Sequence, residues 1–68
     1  MNGKEFIRRA QKWAKVRRIE IRLDVSRGKG GHQILVLGDR WTTVQTGELN
    51  PGVYFAMLKQ LGIAKEEF

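Results

Sequence analysis

The residues of this chain that can do acid–base chemistry converge on Arg27-Gly28-Lys29-Gly30-Gly31-His32-Gln33-Ile34. His32 is the only histidine in the sequence, and two cations and three of the eight glycines precede it directly. Histidine is the side chain whose unperturbed pKa, ~6.5, lets it take and return a proton near neutral pH. Glycine permits φ > 0 and a close backbone approach to a ligand. Lysine and arginine supply charge for a phosphate. Together these suffice for cleavage of RNA, in which loss of the ribose 2′-OH proton lets that oxygen attack the adjacent phosphate without metal or cofactor. The base should titrate near the working pH, and cations must hold the phosphate and offset the charge that grows on its oxygens. Lys29, Arg27 and Arg40 are the candidates by nearness in sequence, with Gly30 and Gly31 giving the backbone access. DNA lacks the 2′-OH, so this chemistry is specific to RNA. The plain alternative is a basic hairpin loop with an incidental histidine, since a lone histidine near a loop is more often a surface or structural residue.

Composition removes most other chemistries. There is no cysteine, so disulfides and thiolate metal sites are absent together. One histidine among scattered carboxylates leaves no basis for a dedicated transition-metal site. No Walker-type loop, Ser-His-Asp order or catalytic carboxylate pair can be read. Gly28-x-Gly30-Gly31 lies between two predicted strands instead of opening a helix, which is the wrong context for a nucleotide-binding fingerprint. No apolar run approaches the ~20 residues needed to span a membrane. The opening Met1-Asn2-Gly3-Lys4-Glu5-Phe6 lacks the apolar core of a signal peptide. The expectation is a cytoplasmic protein with no membrane partner.

Charge is uneven along the 68 residues. Residues 1–29 hold ten bases against three acids (+7) and residues 30–68 hold three against four (−1), which sum to the net +6. A basic half on a small domain suits a polyanion partner, usually nucleic acid. A merely solvated surface would have the same composition. The length fits one domain over 1–68, near the lower size at which a chain folds unaided.

The elements that must hold His32 follow from periodicity. Asn2, three residues before Glu5, reads as a helix cap. Phe6, Ala10, Trp13 and Ala14, with Ile7 beside them, recur at helical spacing over about 3–15, opposite Lys4, Arg8, Arg9, Lys12 and Lys15. Trp13 on that stripe reads as core. From Arg18 to Val25 the period becomes two, with Ile19, Ile21, Leu23 and Val25 on one face and Arg18, Glu20, Arg22 and Asp24 on the other. Ser26 to Gly31 is a loop. His32 to Leu37 is a second strand, apolar on both faces, and therefore either covered on both sides or presenting apolar residues to a partner. Trp41 to Thr46 is a third strand, paired with the second through the turn at Gly38-Asp39-Arg40. A two- or four-residue turn puts Trp41 and Thr43 on the face of His32; a three-residue turn puts Thr42 and Val44 there. Asn50-Pro51 caps a second helix. Its stripe is Val53, Tyr54, Met57, Leu58 and Leu61. Gly62 ends it, with Ile63 folding back on Leu58, and Ala64 to Phe68 can add a last turn. The fold class is α+β, in the order α-β-β-β-α, with a three-stranded antiparallel sheet and both helices on one face. The opposite face, with Arg18, Glu20, Arg22 and His32, is open.

Several segments together resemble the HicA family, small messenger-RNA-cleaving toxins of toxin–antitoxin pairs. They are Asn2-Gly3-Lys4-Glu5-Phe6-Ile7-Arg8, Gly28-Lys29-Gly30-Gly31-His32, and Leu49-Asn50-Pro51-Gly52 followed by Leu58-Lys59-Gln60-Leu61-Gly62-Ile63. The resemblance covers nearly the whole chain. It implies a fold like a double-stranded-RNA-binding domain, an endoribonuclease (mRNA interferase) activity with His32 as its catalytic residue, and a HicB-like antitoxin that binds over the site and silences it. The chain departs from the family in three places. Val16-Arg17-Arg18 follows the first helix in place of a glycine-tryptophan pair, Gly31 replaces a frequent serine, and Gln33-Ile34-Leu35 is more apolar than usual.

Two other readings compete with the nuclease. One is a non-catalytic RNA-binding module, which would grip duplex phosphates with lysines at the start of the second helix; Asn50-Pro51-Gly52-Val53-Tyr54 has no cation there. The other is an assembly protein in which Ile34 and Val36, joined by Trp41 if the turn has two or four residues, form a dimer seam. A homodimer or a toxin–antitoxin hetero-oligomer is compatible with the sequence. Tyr54, Glu48 and Lys29 are conceivable second proton-transfer groups by residue type alone.

Overall fold

The computed structural model describes residues 1–24 and 32–68. Helix α1 (Gly3–Arg17) is capped by Asn2, whose side chain accepts a hydrogen bond from the Glu5 amide at 2.9 Å. It runs two residues further than periodicity indicated, because the chain turns at Arg18. That residue adopts φ 56 and ψ 39, in the left-handed region. The Arg18 amide donates to the Lys15 carbonyl and the Ile19 amide to that of Ala14, the paired bonds of a Schellman cap. The first strand, expected from Arg18, is accordingly shorter: β1 is Ile21–Asp24, and Val25 lies outside the described residues.

Strand β2 (His32–Leu37) has the expected bounds, and β3 (Arg40–Gln45) starts one residue early and ends one residue short. Leu37 pairs with Arg40, so the turn is the two-residue Gly38-Asp39, with Gly38 at φ 61. A glycine at the first central position is what a two-residue hairpin of the II′ kind requires. The sheet is antiparallel in the order β1-β2-β3, which makes β2 central.

Helix α2 (Pro51–Leu61) has the expected caps. Asn50 accepts from the Val53 amide at 2.8 Å, and Gly62 (φ 73) closes the helix with the Ile63 amide donating to Leu58. A 3₁₀ turn, Lys65–Glu67, follows.

Both helices cover one face of the sheet. Phe6, Ala10 and Ala14 of α1 and Met57, Leu58 and Leu61 of α2 are buried with Leu35, Leu37 and Val44 of the sheet, joined by Leu49 and Ile63. Alanines at positions 10 and 14 let α1 approach the sheet closely. Trp13 packs against this core half-buried, as its place on the stripe predicted, with the Arg17 guanidinium 4.3 Å from its ring centre. Phe6, Tyr54 and Phe68 form an aromatic cluster between the helices and the end of the chain. Buried Thr42 is satisfied by donating its hydroxyl to Gln60. Leu23, predicted to lie inward, is 38 % exposed because β1 is an edge strand and β3 carries the main helix contacts. Among the described residues no helix is long and apolar enough to cross a membrane.

The helices also share a direction. The start of α1 lies against Gln45 and Gly47, at the end of the sheet where His32 sits; the end of α2 lies against Arg40, at the hairpin end.

Candidate active site

Register determines what shares a face with His32. His32 pairs with Gln45, Ile34 with Thr43 and Val36 with Trp41. On the other side Ile34 pairs with Asp24 and Val36 with Arg22. Directly paired residues project to the same side of a sheet. The face away from the helices therefore presents Arg22 and Asp24 from β1, His32, Ile34 and Val36 from β2, and Trp41, Thr43 and Gln45 from β3. The observed two-residue turn resolves the ambiguity left by the sequence in favour of Trp41 and Thr43.

His32 is exposed at the first position of the central strand. Its cross-strand neighbour Gln45 is half-buried and is held from behind: Gly3 packs on the Gln45 carbonyl, and the Gln45 side-chain amide donates to the Glu48 carbonyl at 3.4 Å. The strand pair that carries His32 is thus braced by the first turn of α1. Asp24 stands diagonally from His32 on the same face, at the ~7–8 Å typical of such positions, and is half-buried. Arg22 lies further along β1, 3.8 Å from Glu20.

The remaining predicted site residues divide. Arg27, Lys29, Gly30 and Gly31 lie outside the described residues. Arg40 is described, and the fold separates it from His32. It stands five residues up β3 from Gln45, ~17 Å along the strand. It also belongs to the helix-covered face, where its side chain lies across Gly62; a β-carbon there would come within 3.0 Å of the Arg40 Nε. Arg40 is therefore not a partner of His32 for one phosphate. Of the conceivable second proton-transfer groups, Tyr54 packs edge-on to Phe6 beneath the other face, and the Glu48 carboxylate holds the Met1 amine at 2.6 Å. Lys29 is outside the described residues.

Asp24 and Gln45 were missed as neighbours of His32. The alternation of β1 signals which face Asp24 takes, but its position relative to His32 depends on the strand register, which seven intervening residues leave undefined in sequence.

Comparisons with protein-family models, curated proteins and solved structures return no match. The functional reading rests on the residues and the fold.

Proposed function

We propose that this protein is an endoribonuclease in which His32 acts as general base and acid on a ribose 2′-OH and the adjacent phosphodiester. The observation that carries the reading is the position of the only histidine, exposed at the mouth of the sheet face that, among the described residues, no helix covers.

The chemistry balances with one imidazole and solvent. His32 removes the 2′-OH proton, the 2′ oxygen bonds to phosphorus, and the bond from phosphorus to the 5′ oxygen of the next nucleotide breaks. The proton returns to that oxygen from the imidazolium or from water, leaving a 2′,3′-cyclic phosphate and a 5′-hydroxyl. Charge developing on the phosphate needs cationic or backbone donors. Lys29, Arg27 and the Gly30-Gly31 backbone are the sequence neighbours assigned that work, and Arg40 is withdrawn from it by position. Asp24 is the added candidate for orienting the imidazole, since a carboxylate holding one ring nitrogen fixes the tautomer that acts at the other.

The resemblance of the same segments to the HicA family supports messenger RNA as substrate, a cytoplasmic setting and a HicB-like antitoxin as inhibitor. The net charge of +6 supports a polyanionic substrate.

The test is His32→Ala, assayed for RNA cleavage and for folding by circular dichroism. Removing a general acid–base costs about 10²–10⁴ in rate, while an exposed substitution shifts stability by less than ~0.5 kcal/mol. A folded variant cutting at the parent rate refutes the assignment. Products ending in 3′-hydroxyls would rule out attack by the 2′ oxygen.

A further inference from the structure

The open sheet face carries a second outlying feature. Trp41 is 60 % exposed, whereas Trp13 is packed against the core. An indole can bury roughly 150–250 Å², and this ring offers that area in water on the same face as the candidate catalytic residue. Half-buried Ile34 and Val36 run between His32 and Trp41, and exposed Thr43 lies beside them. From His32 to Val36 is four residues, ~13 Å, and Trp41 is one strand over, ~5 Å. The two side chains are thus rooted ~14 Å apart on one continuous surface.

We propose that this face binds single-stranded RNA and that Trp41 stacks on a base to one side of the bond His32 cleaves. The inference rests on the nuclease reading for the bond and on Trp41 for the base. A separation of ~14 Å fits inside the roughly four-nucleotide span of the smallest single-strand sites. Stacking requires an unpaired base with a free π-face, which a duplex does not offer and a splayed single strand does.

The surroundings of the ring favour a nucleic acid over a second copy of this chain. Trp41 and Thr43 also line a groove of about 600 Å³ between β3 and α2, with Arg40 and Asp39 at its hairpin end. Arg40, on the helix-covered side of β3 and too far from His32 to share its phosphate, lines the same groove as Trp41 from the hairpin end. Two copies at +6 each repel. A specific dimer needs about 800 Å² from each partner, roughly a sixth of the 4866 Å² surface. The apolar part of this face offers one ring and two half-buried aliphatic side chains.

The test uses a fluorescein-labelled RNA of about eight nucleotides, within the usual range of single-strand site sizes, alone and annealed to its complement. Binding is measured on His32→Ala protein, so that cleavage does not consume the probe. Adding Trp41→Ala should weaken single-strand binding roughly ten- to a hundredfold, the loss of one stacked base. Trp41→Phe should restore most of it. In the cleavage assay of His32-intact protein the Trp41→Ala loss falls on KM. Equal affinity of the two His32→Ala proteins, with or without Trp41, overturns the proposal. So does a Trp41→Ala effect confined to a monomer–dimer equilibrium, which would assign the ring to self-association. If Trp41-dependent binding is found but the parent protein cuts no RNA, the cleavage reading falls and this inference stands. If the parent and Trp41→Ala cut with the same KM, this inference falls and the cleavage reading stands.

Discussion

Gly3 is the position where one methyl group should do most damage. A β-carbon there would lie 1.9 Å from the Gln45 carbonyl oxygen and 3.2 Å from Val44 Cγ1. The first obstacle is backbone within a paired strand, so it cannot swing aside as a side chain would. Restoring an ordinary 3.4 Å contact requires the start of α1 to withdraw by about 1.5 Å, the difference between the two distances. That breaks the Gly3 amide bond to the Gly47 carbonyl, now 3.1 Å, and levers at Phe6, one turn on and wholly buried. Overpacking of this kind costs ~1–3 kcal/mol and the lost hydrogen bond ~1 kcal/mol. Against this, alanine is the better helix former by just under ~1 kcal/mol. The net expectation for Gly3→Ala is a loss of about 1–3 kcal/mol, from a total that for this size is ~3–10 kcal/mol. At ~4–8 °C per kcal/mol for a small domain, Tm should fall by about 5–20 °C in a circular-dichroism melt, with a matching fall in the urea midpoint. Gly52→Ala is the control, because a β-carbon there meets only the Asn50 Oδ1 at 3.4 Å. It should be neutral or stabilising by up to ~1 kcal/mol. A Gly3→Ala protein melting within a few degrees of the parent would show that α1 does not rest on β3 as described.

Two backbone predictions concern the ends of the helices. Arg18 holds a left-handed conformation that costs an L-residue ~1–2 kcal/mol, so Arg18→Gly should raise stability by about 0.5–1 kcal/mol after the entropy of the freer chain is subtracted; no gain in chemical denaturation would contradict the cap geometry. Gly62→Ala should do the reverse, losing ~1 kcal/mol or more, since φ is 73 and the new methyl group would press on Arg40; an unchanged midpoint would contradict it.

The sequence was most informative where a residue type has one local use. Asn2 with Glu5, Asn50 with Pro51, and Gly62 with Ile63 announce helix ends because their side chains or torsions serve the backbone directly, and all three occur as expected. Arg18 gives no such signal. An arginine in the left-handed region is imposed by the packing on either side, so the start of β1 was misplaced. The hairpin length could not be read from Gly38-Asp39-Arg40, since each loop length suits those residues; pairing of Leu37 with Arg40 decides it. The grouping of Arg40 with His32 failed for a geometric reason. Eight residues along the chain is close in sequence, but when they span one strand and a turn it is nearly the length of the sheet.

The contact of Gly3 with Gln45 also bears on the order of folding. β2 and β3 are joined by two residues and can pair locally and early, whereas the brace behind His32 joins residues more than forty positions apart. Loop closure over such a distance comes late, after the local contacts that offset its entropy have formed. On a ribosome, where the N-terminal end emerges first, α1 can form on its own but has no strand to rest on until residues 44–48 are out. The brace behind the face that carries His32 and Trp41 is therefore completed only after residues 44–48 are available to α1. Under the proposed reading, the cleavage site would not be complete until residues 44–48 have joined α1.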